Sequence, residues 1–333
     1  TSNSSINPIK ILVLFFSMTF LSIVLDELGF FEVLANIALK HVKQSQFALF
    51  LILYVLTSIL TIFTSNDIII LTFTPFNIYL ATSSGISFFE YTSKMALPTL
   101  CAGLVSLGLL LLIFRKSLKD PLKIEINEAH IKNKFLLIVN LICLSLCTLI
   151  LSISSYLPIT IEMYLVSLIF ASILLITIII YSIVKRNGHI LLTSIKRLPW
   201  TLLPFVLSMF IIVLSLKETH VTNELTNAFK MGDSVFVYGV VSTLLCNFIN
   251  NIPVSVLFSE VVEKGIEAEV YASIIGTNIG AFLTPIGALA GIMWLSILKQ
   301  NHVKFNFLSF TKYGALIAIP TLLIALLSLS FIM

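Results

Sequence analysis

Charge is scarce in this chain. Asp, Glu, Lys and Arg make up 11% of its 333 residues, against roughly 25% in a soluble globular domain. That deficit excludes an ordinary water-soluble fold. The net charge of +4 describes loop charge and is too small for a nucleic-acid surface. The four cysteines lie in apolar runs. Cys143 and Cys147 are one helical turn apart, a spacing that could suit a soft metalloid, although buried inert thiols explain them more simply. His41, His130, His189, His220 and His302 fall in loop-like segments, which argues against haem or a buried metal cluster. No Gly-x-Ser-x-Gly, no paired aspartates and no His-Glu-x-x-His occur, so the chain is not expected to be an enzyme or to carry a cofactor. What is abundant is apolar. Hydrophobic residues reach 58% and mean hydropathy is +1.07, which marks an all-α polytopic membrane protein.

A spanning helix needs about 20 apolar residues. The segments 9–28, 93–114, 135–156, 162–184, 199–216 and 312–332 qualify. The first apolar run, Ile9 to Leu25, lacks a small-residue cleavage site and reads as a membrane helix, not a signal peptide. Three longer stretches, 46–80, 235–262 and 271–298, carry Asn, Asp, Thr, Gly or Pro in their middle. They read as re-entrant hairpins or broken helices, which exist at membrane depth only inside protein or beside a cavity. Loop charge orients them. Six Lys/Arg lie in 115–134, four in 185–197 and three in 299–312, so these connections are cytoplasmic. The poorly basic 157–161, 217–234 and 261–270 are then outer. This map requires 235–262 to enter and leave on one face.

The chain also repeats itself. "ISFFEYTSKMALPTLCAGLVSL" (86–107) matches "LSFTKYGALIAIPTLLIALLSL" (308–329) at ten of 22 positions, including Ser87/Ser309, Tyr91/Tyr313, Pro98/Pro320 and Thr99/Thr321. "YVLTSILTIFTSNDI" (54–68) matches "YGVVSTLLCNFINNI" (238–252), setting Asn66 on Asn250 and Asp67 on Asn251. The charge map runs the two halves in opposite directions. Inverted repeats with broken helices build secondary transporters, with the solute site where the breaks meet. The expected division is a first repeat over 1–114, linking helices and loops over 115–198, and a second repeat over 199–333. The two matches have offsets that differ by 38 residues. The first repeat is short by a broken helix, and the junction lies in "TPFNIYLATSSG". Joining 46–80 directly to 93–114 would leave unpaired backbone in lipid. We therefore expect a segment absent from this chain, with two consecutive Cα atoms between Pro75 and Ile86 well beyond the 3.80 Å of a trans peptide.

The candidate solute and ion ligands sit at the breaks. Asp67 is a carboxylate within an apolar stretch, a costly placement that suits binding a proton or small cation. Thr64, Ser65 and Asn66 beside it add hydroxyl and amide groups. A plain helix cap would use the same residue types. Asn247, Asn250 and Asn251 form the facing tip and could bind an uncharged polyol-like solute, or simply bond helix to helix. Thr277, Asn278 and Thr284 break the next helix. Gly276, Gly280 and Gly287 beside them read as permitting close packing. Glu162 and Glu260, at helix ends, read as solvated, and Trp294 as a packing or interface anchor.

"TSNDIIILTFTP", "NFINNIPVSVLF", "GTNIGAFLTPIGALAGIMWL", "LDELGFFE" and "ISFFEY" resemble the arsenite and antimonite efflux permeases of the ion transporter superfamily. Sodium-coupled dicarboxylate and citrate carriers are more distant. The resemblance implies proton-linked export of arsenite and antimonite from a bacterial inner membrane, through a site made by the tips and breaks of both halves. It leaves a second copy of the chain or a cytoplasmic ATPase subunit open as partners beside the solute and the bilayer. Such permeases carry further helices before the position of Thr1, and a broken helix with a Gly-Asn-Pro-Thr-Asn type loop between the first hairpin and "NIYLATS". Two other functions stay open at this point. One is a sodium-coupled carboxylate carrier or sodium–proton exchanger. The other is an inactive transporter fragment or membrane scaffold.

Overall fold

The computed structural model describes residues 8–42, 45–63, 88–120, 130–153, 162–200, 202–219, 221–229, 234–262, 266–300 and 302–333. The elements of these residues are all helices. In chain order they are α1 (Pro8–Glu27), α2 (Phe30–His41), α3 (Gln46–Phe63), α4 (Phe88–Phe114), α5 (Lys134–Ile153), α6 (Met163–Lys185), α7 (His189–Arg197), α8 (Leu202–Glu218), α9 (Val221–Phe229), α10 (Ser234–Ile249), α11 (Asn251–Val261), α12 (Glu267–Gly280), α13 (Leu289–Gln300) and α14 (Phe307–Ile332). Four of them, α4, α5, α6 and α14, are long and apolar enough to cross a membrane. The α1–α2 pair would make a fifth span, bent by 58°. The expected span 199–216 is the 17-residue α8, about 26 Å long at 1.5 Å per residue. α4 starts at Phe88, five residues ahead of the expected start. The junction 75–86 and the first tip, Thr64 to Asp67, lie outside the described residues.

The described residues fall into two compact units, each drawn from separate stretches of chain. One comes from 9–71 and 111–200. Its centre is a run of fully buried leucines and isoleucines on α1, α5 and α6, among them Leu21, Leu25, Leu136, Leu174 and Ile178. Asn140 of α5 is fully buried too, and donates from Nδ2 to the Leu21 carbonyl at 2.9 Å. Cys143 and Cys147 are buried in this core, with the Cys147 Sγ 3.7 Å from the Met18 sulfur. "DELGFFE" is the bend between α1 and α2. Gly29 takes φ +83 there, and a Cβ on it would lie 3.0 Å from the His130 carbonyl. Glu27, beside the bend, is a buried carboxylate and needs compensation. Lys132 donates to it at 3.0 Å and Arg197 at 3.3 Å, and Arg197 also bonds Asp26. At the other end of α1, Lys10 bonds Glu162 at 2.5 Å. Glu162 is exposed, as its reading as a solvated helix-end carboxylate expects, and pairs with Lys10 at the surface. The two clusters place 130–132 and 189–197 at one end of α1 and Glu162 at the other. Loop charge sorted the same segments onto opposite faces.

The second unit comes from 1–8, 72–110 and 201–333. Its centre is the close crossing of α10 and α12. A Cβ on Gly276 would lie 2.0 Å from Ser242 Oγ and 2.2 Å from the Gly239 carbonyl; one on Gly280 would lie 2.7 Å from Thr243 Cα. Thr243 Oγ1 donates to the Gly276 carbonyl at 2.9 Å. With little hydrophobic force between helices in lipid, such small-residue contact is what holds them. Gly276→Ala should therefore prevent assembly, since backbone blocks the new methyl. Gly108→Ala is the control. Nothing lies within 4 Å of its Cβ position on α4, so it should gain up to about 1 kcal/mol of helix propensity. Yield of monodisperse protein after detergent extraction checks both.

The repeat-related helices α4 and α14 both run unbroken through their matched prolines, Pro98 and Pro320. Near the start of α4, Tyr91 stacks on Tyr271 and Lys94 bonds Glu267, at the N-terminal end of α12. Near the start of α14, a Cβ on Gly314 would lie 2.1 Å from the Phe282 carbonyl, just past the other end of α12. The two related segments begin at opposite ends of one helix.

Candidate functional site

The stretch 235–262 folds as a helical hairpin. α10 ends at Ile249, α11 begins at Asn251, and Asn250 is the turn. Tyr238, near the start of α10, packs edge-on against Phe258, near the end of α11, with ring centroids 6.0 Å apart. The two arms thus enter and leave together. α11 is 11 residues long and buried from Asn251 through Phe258, whereas the longer α4 has 6% of its most apolar window buried. Asn250 and the first turns of α11 are therefore covered by protein, while Phe248 and Ile249 on the α10 side of the turn are exposed.

The tip itself is strained. Asn250 sits at φ 73, ψ 153, a region almost reserved for glycine that costs about 1–3 kcal/mol for other residues. Its side chain offsets part of that. Oδ1 accepts from the Ile252 amide at 3.3 Å as the cap of α11, and Nδ2 donates to the Ile286 carbonyl at 3.3 Å. Two opposed effects meet at this residue. Asn250→Gly should leave thermal stability within about 1 kcal/mol of wild type, relief of strain offsetting the lost cap. Asn250→Val should lower it by about 3 kcal/mol, because a β-branched residue resists that backbone. Thermal melts of the purified protein in detergent distinguish the two.

The second break lies directly against this tip. α12 ends at Gly280, residues 281–284 turn, Pro285–Gly287 form a single 3-10 turn, and α13 starts at Leu289. Asn247, one turn before the hairpin tip, ties the end of α12 and the turn that follows it to α10. Its Nδ2 donates to the Thr243 and Gly280 carbonyls, each at 2.8 Å. Its Oδ1 accepts from the Thr284 amide at 3.0 Å and from the Thr284 hydroxyl at 2.7 Å. Both donors and both lone pairs of the amide are occupied. Gly287 leaves room for that oxygen, since a Cβ there would be 2.9 Å from it.

The second-half candidates therefore separate. Asn247, Asn250 and Thr284 come together in one network with the carbonyls of Gly280 and Ile286. Thr277 bonds back to the Ser273 and Ile274 carbonyls within α12, and Asn278 is half-buried in the last turn of the same helix. Asn251 differs from all of these. It is buried, and its Oδ1 has no hydrogen-bond partner among the described residues. A buried carbonyl oxygen without a donor costs about 1–3 kcal/mol. Between 235 and 259, and between 271 and 298, no residue is charged. The first-half candidates, Thr64, Ser65, Asn66 and Asp67, lie outside the described residues. Thr243 and the Ile286 carbonyl escaped the sequence reading. The Ser-Thr pair one turn before Asn247 was the available signal for the first; a main-chain ligand leaves none. Trp294 packs on Phe305 and Phe310, in keeping with an anchoring role.

Comparison with known proteins follows this geometry. The family model described as "Arsenical pump membrane protein" matches residues 75–333. One described as "Citrate transporter" matches residues 6–76. The two meet inside the stretch where the repeat places its 38-residue deficit. Among curated relatives, the arsenical pump membrane protein of Escherichia coli (strain K12) is 25% identical over 277 residues, 76% of this chain and 61% of its own length. That of Yersinia enterocolitica is 27% identical over 168 residues, 46% of this chain and 39% of its own length. A 46 kDa membrane protein of Mycobacterium leprae is 30% identical over 165 residues, 45% of this chain and 37% of its own length. The chain thus spans less than two thirds of the length of these relatives. An all-α architecture with span-length helices, a second half built on a hairpin and a broken helix, and a family match over 75–333 lead to one assignment: the chain belongs to the arsenical pump membrane protein family and is an integral inner-membrane protein.

Proposed function

We propose that the chain exports arsenite, antimonite or a related small inorganic solute, driven by the proton gradient. The observation that carries this reading is the uncharged tip. The unpartnered Asn251 Oδ1 sits beside the strained Asn250, in a segment without a charged residue. Trivalent arsenic and antimony hydroxides are neutral near pH 7 and present hydroxyl donors. An amide oxygen without a donor is an acceptor for such a hydroxyl, and helix-end amides and carbonyls supply the remaining contacts. Asp67 holds the position of Asn251 in the first half and supplies the group that takes up a proton or a sodium ion.

A sodium-coupled carboxylate carrier is the second reading, favoured by the match of residues 6–76 to a citrate transporter model. A di-anion or tri-anion at this tip would depend on helix dipoles alone. Everted vesicles decide between the two. The proposal expects arsenite and antimonite to accumulate when a proton gradient is imposed, and citrate to stay at background with or without sodium. Sodium-driven citrate uptake without metalloid accumulation would replace it with the carrier reading.

A further inference from the structure

The end of α6 and the short helix α7 carry a surface that neither the fold nor the solute site uses. α6 is capped by Arg186 in the left-handed conformation, φ 49, and the Asn187 amide bonds back to the Ser182 carbonyl. α7 begins two residues later. Its inward face, Ile190, Leu191 and Ser194, packs on the core of its own unit. Its outward face is divided. At 100° per residue, Leu192 and Ile195 fall on one arc, with Lys196 and His189 on the next; all four are exposed. Trp200 extends the apolar side. It is half-exposed, and its Nε1 donates to the Ile195 carbonyl at 2.9 Å. Lys185 and Arg186, three to four residues before α7 in the chain, are exposed as well.

Arg197 is committed inward to Asp26 and Glu27. Lys185, Arg186 and Lys196 bond no acidic group among the described residues. An apolar flank beside a basic stripe, with tryptophan at the boundary, fits a membrane–water interface: the apolar arc enters the acyl region and the basic arc meets headgroups. Loop charge puts this end of the unit on the cytoplasmic side. We propose that α7 and the Lys185–Arg186 turn bind the headgroups of anionic phospholipids in the cytoplasmic leaflet. The charge complementarity selects the occupant, because a neutral headgroup leaves three cations without a counterion.

Tryptophan quenching tests this. The chain has two tryptophans, so Trp294→Phe leaves Trp200 as the sole reporter. That variant is reconstituted with equal mole fractions of chain-brominated phosphatidylglycerol or chain-brominated phosphatidylcholine in otherwise identical vesicles. One effective charge contact predicts on the order of a fivefold preference for the anionic lipid around Trp200. Lys185→Gln, Arg186→Gln and Lys196→Gln together should abolish it, while transport-competent insertion persists because all three side chains are on the surface. Equal quenching by the two lipids in the parent variant would overturn the proposal. So would a preference that survives the triple replacement.

Discussion

Replacement of Asn247 by leucine is expected to lower thermal stability and abolish transport together. Four hydrogen bonds disappear, those to Thr243, Gly280 and twice to Thr284. Hydrogen bonds inside membrane proteins average about 0.6 kcal/mol and reach about 1.7, so the four sum to roughly 2–4 kcal/mol, although the Gly280 carbonyl keeps the Leu283 amide and the Thr243 carbonyl keeps the Cys246 thiol. The larger consequence is positional. Asn247 fastens the end of α12 and the turn after it to α10, and without it only the Asn250 contact to the Ile286 carbonyl ties the hairpin tip to the break. Thr284→Val isolates the hydroxyl contribution and should cost about 1 kcal/mol. In the double variant the losses should fall short of additive, because Thr284 and Asn247 share a bond. Melting curves of the four proteins give the coupling directly; strict additivity would mean that the two side chains act apart.

Asp67→Asn should leave the protein inserted at wild-type levels and reduce gradient-driven metalloid accumulation to background. The repeat supplies the reason that folding survives. Asn is already the residue at the matching position, Asn251, where the second hairpin accommodates it in a buried tip. What Asn cannot do is change charge. If Asp67 is the group that binds the coupling proton, its amide removes the link between the pH gradient and the solute while solute binding remains. Vesicle accumulation at several imposed pH differences measures this. A variant with wild-type accumulation and an unchanged dependence on pH would reduce Asp67 to a helix cap.

Much of the second half was legible because polar residues are costly in an apolar chain. Asn247, Asn250, Asn251 and Thr284 stood out against leucine and isoleucine, and each marks a place where α10–α11 or α12–α13 is interrupted. The inverted match of 86–107 to 308–329 was readable through Tyr, Pro and Thr, which shared leucine richness does not explain. Less legible was the division of labour. Sequence alone sets Asn247 and Asn251 side by side as possible ligands. Only the geometry separates an amide with every position occupied from one whose oxygen lacks a donor. Thr277 looked like a helix breaker, yet its hydroxyl satisfies carbonyls within its own helix, as threonines in apolar helices commonly do. Long-range ion pairs were invisible for a similar reason. Nothing local in "LDELGFF" indicates that Glu27 meets Lys132 and Arg197, 105 and 170 residues away. The bend at Gly29 needed the fold as well, since glycine in an apolar run signals close packing as readily as a positive φ.

The central claim is that the hairpin tip holds the solute and leaves the buried Asn251 Oδ1 without a protein donor for it. Asn251→Leu tests that claim most directly, because the two effects of the change should have opposite signs. Removing a buried acceptor without a donor relieves a cost of about 1–3 kcal/mol, and leucine has the same branched skeleton as asparagine. The variant should therefore melt at or above the wild-type temperature in the absence of solute. Antimonite at about 100 times its dissociation constant should stabilise the wild-type protein by about 2.7 kcal/mol, and that increment should vanish in the variant. The measurement is the melting temperature of both proteins with and without antimonite. A stable Asn251→Leu protein that no longer responds to the solute is the predicted result. A variant that retains the full solute-induced shift would contradict the account and place the binding site elsewhere.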